Sequence, residues 1–307
     1  MILAPLRGVT IRCFREAFAE EIRAAGFTEA ITPFITANAG YDPIKDRELR
    51  GRPAPAPSEG GNEWGGGVSP PQLKVTPQFI GKDQEALREC LQKVKAAGYD
   101  TADLNCGCPF PMVRNKGRGS GLLRTPDVLR RMLEVGCEVM GPGKFSLKAR
   151  LGVDRGDELL KLMPMINEFP LRFLTVHART ARQMYEGRCD VEMVERVERV
   201  AKVPVVINGD IPFPVPCSLF PVPSRLMIGR GFVRWLGTHD DREELLGRYI
   251  QASQSELSGD APVLGRMKEL IAYWKELPQW RRRWNVIKIC RSVGELKMAA
   301  GVSDRLS

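Results

Sequence analysis

The densest run of chemistry-bearing residues in this 307-residue chain is Asn105-Cys106-Gly107-Cys108-Pro109, at the end of the β-rich stretch 100–105. A thiol carried just past such a stretch stands where the functional groups of barrel enzymes gather. Other polar residues sit at comparable places. Gln78 lies in the run 77–81, and Lys148 and Arg150 in 144–150. His177 ends 172–177 with Arg179 close behind. Asn208-Gly209-Asp210 closes 204–208, Gly229-Arg230-Gly231 closes 225–229, and Pro5-Leu6 closes 2–5. Glycines let a backbone approach a ligand closely, and an arginine adds charge-assisted hydrogen bonds, so the last two glycine turns suit a phosphate. Lys148 and Gln78 suit the edge of a flat heterocycle. A phosphorylated cofactor such as FMN fits this set, and a phosphorylated sugar fits almost as well.

These residues need a scaffold that brings strand ends together. Eight candidate strands, 2–5, 28–33, 77–81, 100–105, 144–150, 172–177, 204–208 and 225–229, alternate with helical patterns at 11–25, 83–97, 125–138, 157–167 and 190–201. The alternation implies an α/β fold with a parallel sheet, and the count of eight favours a (β/α)8 TIM barrel, whose functional groups gather at the C-terminal strand ends. Helical patterns at 243–252, 264–277 and 284–299 predict a C-terminal helical domain. The expected division is 1–238 for the barrel and 239–307 for the helices. Two stretches break the rhythm. Residues 51–71 are rich in Gly, Pro and Ser, and 211–224 carry five prolines, so the helix expected there is short or absent.

Composition bounds the rest. At 43% hydrophobic and 27% charged residues the chain is ordinary for a globular protein. No run approaches the roughly 20 apolar residues of a membrane span. The N-terminus MILAPLRGVT lacks the basic start and longer apolar stretch of a signal peptide, so the cytoplasm is the expected location. Most of the eight cysteines are expected as free thiols there. A metal site is not expected, since Cys106 and Cys108 have no second pair and the only histidines are His177 and His239. The net charge is +9, and residues 261–307 hold ten Lys/Arg against four Asp/Glu. A basic tail suits a polyanion, either nucleic acid or an anionic membrane surface.

The motifs ILAPLRGVT (2–10), DLNCGCP (103–109), KARLG (148–152), VHARTARQMYEG (176–187), VINGDI (206–211) and MIGRG (227–231) together resemble the tRNA-dihydrouridine synthase family, over roughly residues 1–235. The resemblance implies an FMN-dependent enzyme that uses NADPH to reduce a uridine of tRNA; a monomer with no membrane or metal partner is expected. Pro5 and Leu6 would line FMN through backbone contacts, with Arg7 beside them. Gln78 and Lys148 would contact the isoalloxazine, and His177 would lie near the flavin or its phosphate. Asn208, Gly209, Asp210, Gly229 and Arg230 would bind the ribityl and phosphate groups. Cys108 matches the family's catalytic cysteine, with Asn105 and Tyr185 near the target nucleotide. The stretch 265–277 (GRMKELIAYWKEL) is similar to the branch that modifies uridine 16 of the D-loop; Arg266, Lys268 and Tyr273 would then face tRNA, with Lys288 or Arg291 nearby. Two other readings stay open: an FMN-barrel reductase acting on a small molecule, and a non-catalytic tRNA-binding barrel.

Overall fold

The computed structural model describes residues 1–50, 73–216 and 226–303. The stretch 51–71 and residues 217–224 of the proline-rich segment lie outside the described residues. Ten strand segments occur in chain order: β1 (Ile2–Leu3), β2 (Glu29–Ile31), β3 (Ile35–Thr36), β4 (Lys74–Thr76), β5 (Gln78–Ile80), β6 (Ala102–Cys106), β7 (Phe145–Gly152), β8 (Leu174–Thr180), β9 (Val205–Asn208) and β10 (Leu226–Ile228). Their order in the sheet is β3-β5-β6-β7-β8-β9-β10-β1-β2-β4. The two ends of that order belong together. β2 and β3 are one strand interrupted at residues 32–34, and β4 and β5 are one strand interrupted at Pro77, which has no N–H for the ladder. β2 pairs with β4 and β3 with β5, both parallel, so the ten segments are eight parallel strands in closed order. This is a (β/α)8 TIM barrel, and all eight expected strands are present.

The helices are α1 (Arg12–Ala17), α2 (Ala19–Ala24), α3 (Gln84–Ala96), α4 (Pro111–Arg114), α5 (Pro126–Met140), α6 (Glu158–Ile166), α7 (Val191–Val200), α8 (Arg230–Leu236), α9 (Arg242–Glu256), α10 (Asp260–Ala272), α11 (Pro278–Ile287) and α12 (Val293–Ala300). Three expectations change. The single helix at 11–25 is two, broken at Phe18. The single helix at 284–299 is also two: Pro278 opens α11 at its first turn, and Ser292 restarts the chain by accepting a hydrogen bond from Glu295 N at 3.1 Å. The stretch 230–236, which carries no helix in the sequence reading, forms α8 directly after β10. Residues 211–216 hold no helix, as the prolines imply. Among the described residues no helix is long and apolar enough to cross a membrane, and no group of three His, Cys, Asp or Glu could hold a metal.

By compactness the described chain divides differently from the expected 238/239 boundary. One unit comprises residues 1–2, 28–209 and 226–227, and the other 3–27, 210–216 and 228–303. In the first, alternate strand residues Leu104, Leu147, Val176 and Val205 share one buried cluster with Leu87, Leu91, Leu129 and Met132 of α3 and α5. α5 can approach β7 because position 136 is glycine; a Cβ there would lie 2.0 Å from the Phe145 ring. In the second unit, Phe14 and Phe18 stack around the buried Tyr249 ring. Trp274 and Trp280 are wholly buried, and their indole N–H groups reach Val233 O at 2.6 Å and Gly237 O at 3.0 Å. The two indoles are thereby buried without orphaning their N–H groups.

Candidate active site

The first unit owes its site to strand parity. Successive residues of a strand point to opposite faces, and paired residues on neighbouring parallel strands share a face. Gln78 is in register with Asp103, Asp103 with Ser146, Asn105 with Lys148, Arg150 with His177, and His177 with Asn208. One face of β5–β9 thus carries Gln, Asp, Asn, Ser, Lys, Arg and His. The opposite parity carries Ala102, Leu104, Cys106, Leu147 and Ala149, all in the apolar core. Barrel interiors are usually filled by branched apolar side chains; so polar a face suits a polar ligand.

On that face a relay of hydrogen bonds holds the turn bearing Cys108. Ser146 Oγ donates to Asp103 Oδ1 at 2.6 Å, and Gln78 Nε2 donates to Asp103 Oδ2 at 2.7 Å. Asn105 Nδ2 donates to Gln78 Oε1 at 2.8 Å. Asn105 Oδ1 then accepts from the backbone N–H groups of Gly107 (3.1 Å) and Cys108 (2.9 Å). From the other side Ser120 N and Oγ both donate to Cys108 O, at 3.1 and 2.8 Å. Gly119 has a φ of +57°, and a Cβ there would lie 2.8 Å from Cys108 Cβ. Cys108 is 6% exposed and in no disulfide. Burial pushes the Asp103 carboxyl up to about 7, against the opposing effect of its hydrogen bonds to Ser146 and Gln78 and the charge of Lys148. Cys106 points the other way, into the apolar core, where burial alone pushes its thiol up.

The cations stand beside this relay. Lys148 Nζ donates to Asn208 Oδ1 at 3.1 Å, and Asn208 Nδ2 donates to Met227 O at 2.7 Å. Burial, then the charge of Arg150, brings the Lys148 ammonium down to about 8. Arg150 Nε donates to Gly107 O at 2.9 Å, and its Nη1 to Thr180 O and Met184 O. Its guanidinium lies 5.3 Å from the Tyr185 ring centroid, and the His177 ring meets Tyr185 edge-on at 6.4 Å. Burial brings Arg150 down to about 10. Gly209, at φ +120°, could carry no side chain: a Cβ would lie 2.9 Å from Cys189 Sγ. Amide, ammonium and imidazole groups therefore converge on one face beside a thiol, and a flat ring with carbonyl and ring-nitrogen edges matches them.

The dihydrouridine synthase family model matches residues 2–218. The chain belongs to that family. It is 32% identical over 145 residues to a probable tRNA-dihydrouridine synthase of Helicobacter pylori, covering 47% of this chain and 44% of the relative. It is 28% identical over 234 residues to tRNA-dihydrouridine synthase B of Vibrio cholerae, covering 75% and 66%. The match thus spans less than half of the first of these curated relatives. Among solved structures, the old yellow enzyme homologue of Zymomonas mobilis is similar at 11% identity and a TM-score of 0.48, covering 76% and 85%.

In this dihydrouridine synthase family member the second unit holds the remaining expected cofactor residues. Leu6 N donates to Thr10 Oγ1 at 2.7 Å, Thr10 Oγ1 donates to Ala4 O at 2.8 Å, and Leu6 O accepts from Val9 N and Thr10 N. The turn after β1 is therefore closed on itself. Leu6 spends both backbone groups locally. A Cβ on Gly229 would lie 3.1 Å from Ala4 Cβ. Arg230 forms an ion pair with Asp210, which adopts a φ of +44°. These two residues, both expected at the ribityl and phosphate groups, engage each other.

The expected tRNA residues separate. Arg266 is a correction: it is 9% exposed, and its Nη1 donates to Glu256 Oε2 and Cys13 Sγ, both at 3.0 Å. It is a buried ion-pair partner, and so presents nothing to RNA. Lys268 Nζ donates to Lys288 O at 3.1 Å and Cys290 O at 2.6 Å, capping the end of α11. Tyr273 is partly buried at the end of α10, and Lys288 is exposed. In the first unit Tyr185 is 42% exposed. Asn105 spends its carbonyl oxygen and one N–H in the relay. Asp103, Ser146 and Ser120 are missing from the sequence reading. The D-L-N spacing held the signal for Asp103, since residues i and i+2 of a strand share a face with Asn105.

Proposed function

We propose that the chain reduces the C5=C6 bond of a uridine in tRNA, using FMN and NADPH. The observation that carries this reading is the Asp103–Gln78–Asn105 relay, which fixes the Cys108 turn on the strand face that also bears Lys148. Bound FMN would supply a hydride to C6 of the uracil. Reduction at C6 leaves negative charge toward C5 and O4, and Cys108 then gives its proton to C5 as general acid. Lys148 and His177 would hold the flavin edge, with Gln78, wholly buried and committed to Asp103 and Asn105, acting behind them through the relay. A cation near the pyrimidine ring favours its electron-rich reduced form. Arg150 and Tyr185, packed together beside Gly107, would orient the uracil. A stacked base cannot meet the flavin face, so the uridine must leave its stack. We further propose a D-loop target, at position 16, from the resemblance of 265–277. With Arg266 withdrawn, Lys268, Tyr273 and Lys288 remain as its contacts.

The test is mass-spectrometric mapping of dihydrouridine in tRNA from a strain with and without the gene, alongside turnover of the reduced protein on unmodified tRNA and on small enones. Dihydrouridine lost at one D-loop position on deletion is the expected result. Turnover of enones but not tRNA would replace this reading with a small-molecule reductase. A colourless protein that binds tRNA and takes up no FMN would replace it with a binding barrel.

A further inference from the structure

The chain that leaves Cys108 returns to it. Pro109 leads into Phe110 and α4, the backbone turns at 115–118, and Ser120 closes the loop on Cys108 O. Within the loop Val113 N and Arg114 N donate to Phe110 O, Asn115 N to Pro111 O, Gly117 N to Arg114 O and Arg118 N to Val113 O. The loop is therefore a self-bonded strap pinned at both ends to the proton donor. Phe110, two residues along, lies within about 7 Å of Cys108 Cα by chain geometry.

Its surface is unusual in two ways. Phe110 is 42% exposed and Met112 is 75% exposed, so two large apolar groups stand in water beside the site. From 104 to 126 there is no Asp or Glu, while Arg114, Lys116 and Arg118 lie in the loop and Lys82 lies against Gly117. None of these four cations forms an ion pair or a side-chain hydrogen bond with another described residue, and the Nε atoms of Arg114 and Arg118 are buried donors without a partner. Arg124, just beyond the loop, is by contrast paired with Asp154. Exposed apolar side chains in a segment whose positive charge no described residue neutralises match structured RNA better than a protein face, which would need an acidic complement.

We propose that residues 110–118 form an RNA-docking strap. Phe110 and Met112 take the stacking place that the uridine vacates when it moves toward Cys108, while Lys82, Arg114, Lys116 and Arg118 hold the flanking phosphates. Apolar wedges of this type separate base steps in other nucleic-acid complexes. The proposal rests on the reading that the substrate is a uridine in tRNA, and it adds the element that draws that uridine out.

The experiment uses the full-length protein and an in vitro tRNA transcript carrying 2-aminopurine beside each D-loop uridine in turn, whose fluorescence rises on unstacking. Wild-type binding is expected to raise the signal at one position. The double variant Phe110→Ala/Met112→Ser is expected to bind about tenfold more weakly and to leave the signal low, the loss of about one base stack. Lys116→Gln/Arg118→Gln is expected to lower the slope of log affinity against log salt by about two, since each phosphate contact contributes roughly 0.9. Lys144→Gln, an exposed charge just before β7, is the control and should leave the slope as it is. A Phe110/Met112 variant that unstacks RNA as well as wild type overturns the strap, as does a charge variant with the slope of the control. Wild-type protein that unstacks the tRNA and forms no dihydrouridine overturns the functional reading and leaves the strap standing. Wild-type protein that does not bind the transcript overturns both.

Discussion

Gln78 Nε2 donates to Asp103 Oδ2 at 2.7 Å across adjacent parallel strands, between residues in direct register. The bond decides which way the Gln78 amide faces. Its nitrogen is committed to the carboxylate, so its oxygen must meet Asn105, whose own oxygen is then turned onto the Gly107 and Cys108 N–H groups. A buried acid thus sets the conformation of a turn two side chains away. Neutralising or deleting it should be felt at Cys108 without any contact to the thiol.

The same acid makes stability depend on pH. Asp103 stands at about 7 in the folded chain against an ordinary value near 3.8. The folded state therefore keeps this proton where the unfolded chain has lost it, so unfolding releases a proton between those values and stability falls as pH rises. Its contribution is complete below about pH 4 and gone once the pH has risen through about 7. Melting curves of wild type and Asp103→Asn from pH 4 to 9 should show the wild type losing ground to the variant across that window and holding a constant difference above it. A difference that is constant throughout would show that Asp103 titrates normally.

Cys108→Ala would remove the proposed proton donor and leave every proposed binding residue in place. General acids of this kind are worth about 10²–10⁴ in rate. Single-turnover formation of dihydrouridine should fall by at least about a hundredfold, while the Kd for tRNA changes by less than about twofold. Equal losses in both would make Cys108 a binding residue.

Lys148 supplies a second pH dependence with its own sign. Burial and Arg150 lower it to about 8, so the folded protein loses this charge above that pH. If Lys148 holds the flavin edge, FMN affinity should drop as pH rises through about 8. Lys148→Met should bind FMN more weakly and without that step, which fluorescence titration with FMN at pH 6.5 and 9.5 can measure. A wild-type affinity that does not change across this range would remove Lys148 from the cofactor site.

Much of this architecture was legible because barrels repeat one unit. All eight strands follow from apolar β-rich runs, and the parity of β6 separates Cys106, sent to the core, from Asn105 on the site face. What the sequence hid was tertiary. Arg266 sits in a basic, helix-forming stretch and looks like a surface cation; only the fold brings Glu256 and Cys13 around it. Ser120 lies twelve residues from Cys108 in the chain, and no local pattern reveals that it closes the turn. The breaks at Phe18 and at residues 288–292 were also hidden, since helical periodicity runs through both.

Arg266→Ala should accordingly act on stability. It strips one partner from a pair in which both side chains are under a tenth exposed, leaving Glu256 with Arg12 alone. Losing this charged hydrogen bond while Glu256 keeps Arg12 costs about 1.5–3 kcal/mol, readable by urea denaturation. Lys288→Ala, on an exposed side chain, should change stability by less than about 0.5 kcal/mol and weaken tRNA binding. If Arg266→Ala leaves stability intact and weakens tRNA binding, the buried placement of Arg266 is wrong.

Gly119→Ala tests position rather than chemistry. Every functional group remains, yet the new methyl would lie 2.8 Å from Cys108 Cβ, at a backbone φ of +57° that side chains rarely adopt. The left-handed conformation alone costs about 1–2 kcal/mol, so the loop or the thiol must move. Displacing a reacting group by about 1 Å can cost on the order of a hundredfold in rate. The variant should therefore lose turnover at least about tenfold while its thiol count stays that of wild type. The loss should be larger in kcat than in KM, because the displaced group is the proposed proton donor and is not among the proposed RNA contacts. A Gly119→Ala enzyme with wild-type kcat would show that proton delivery to C5 does not depend on where this turn holds Cys108.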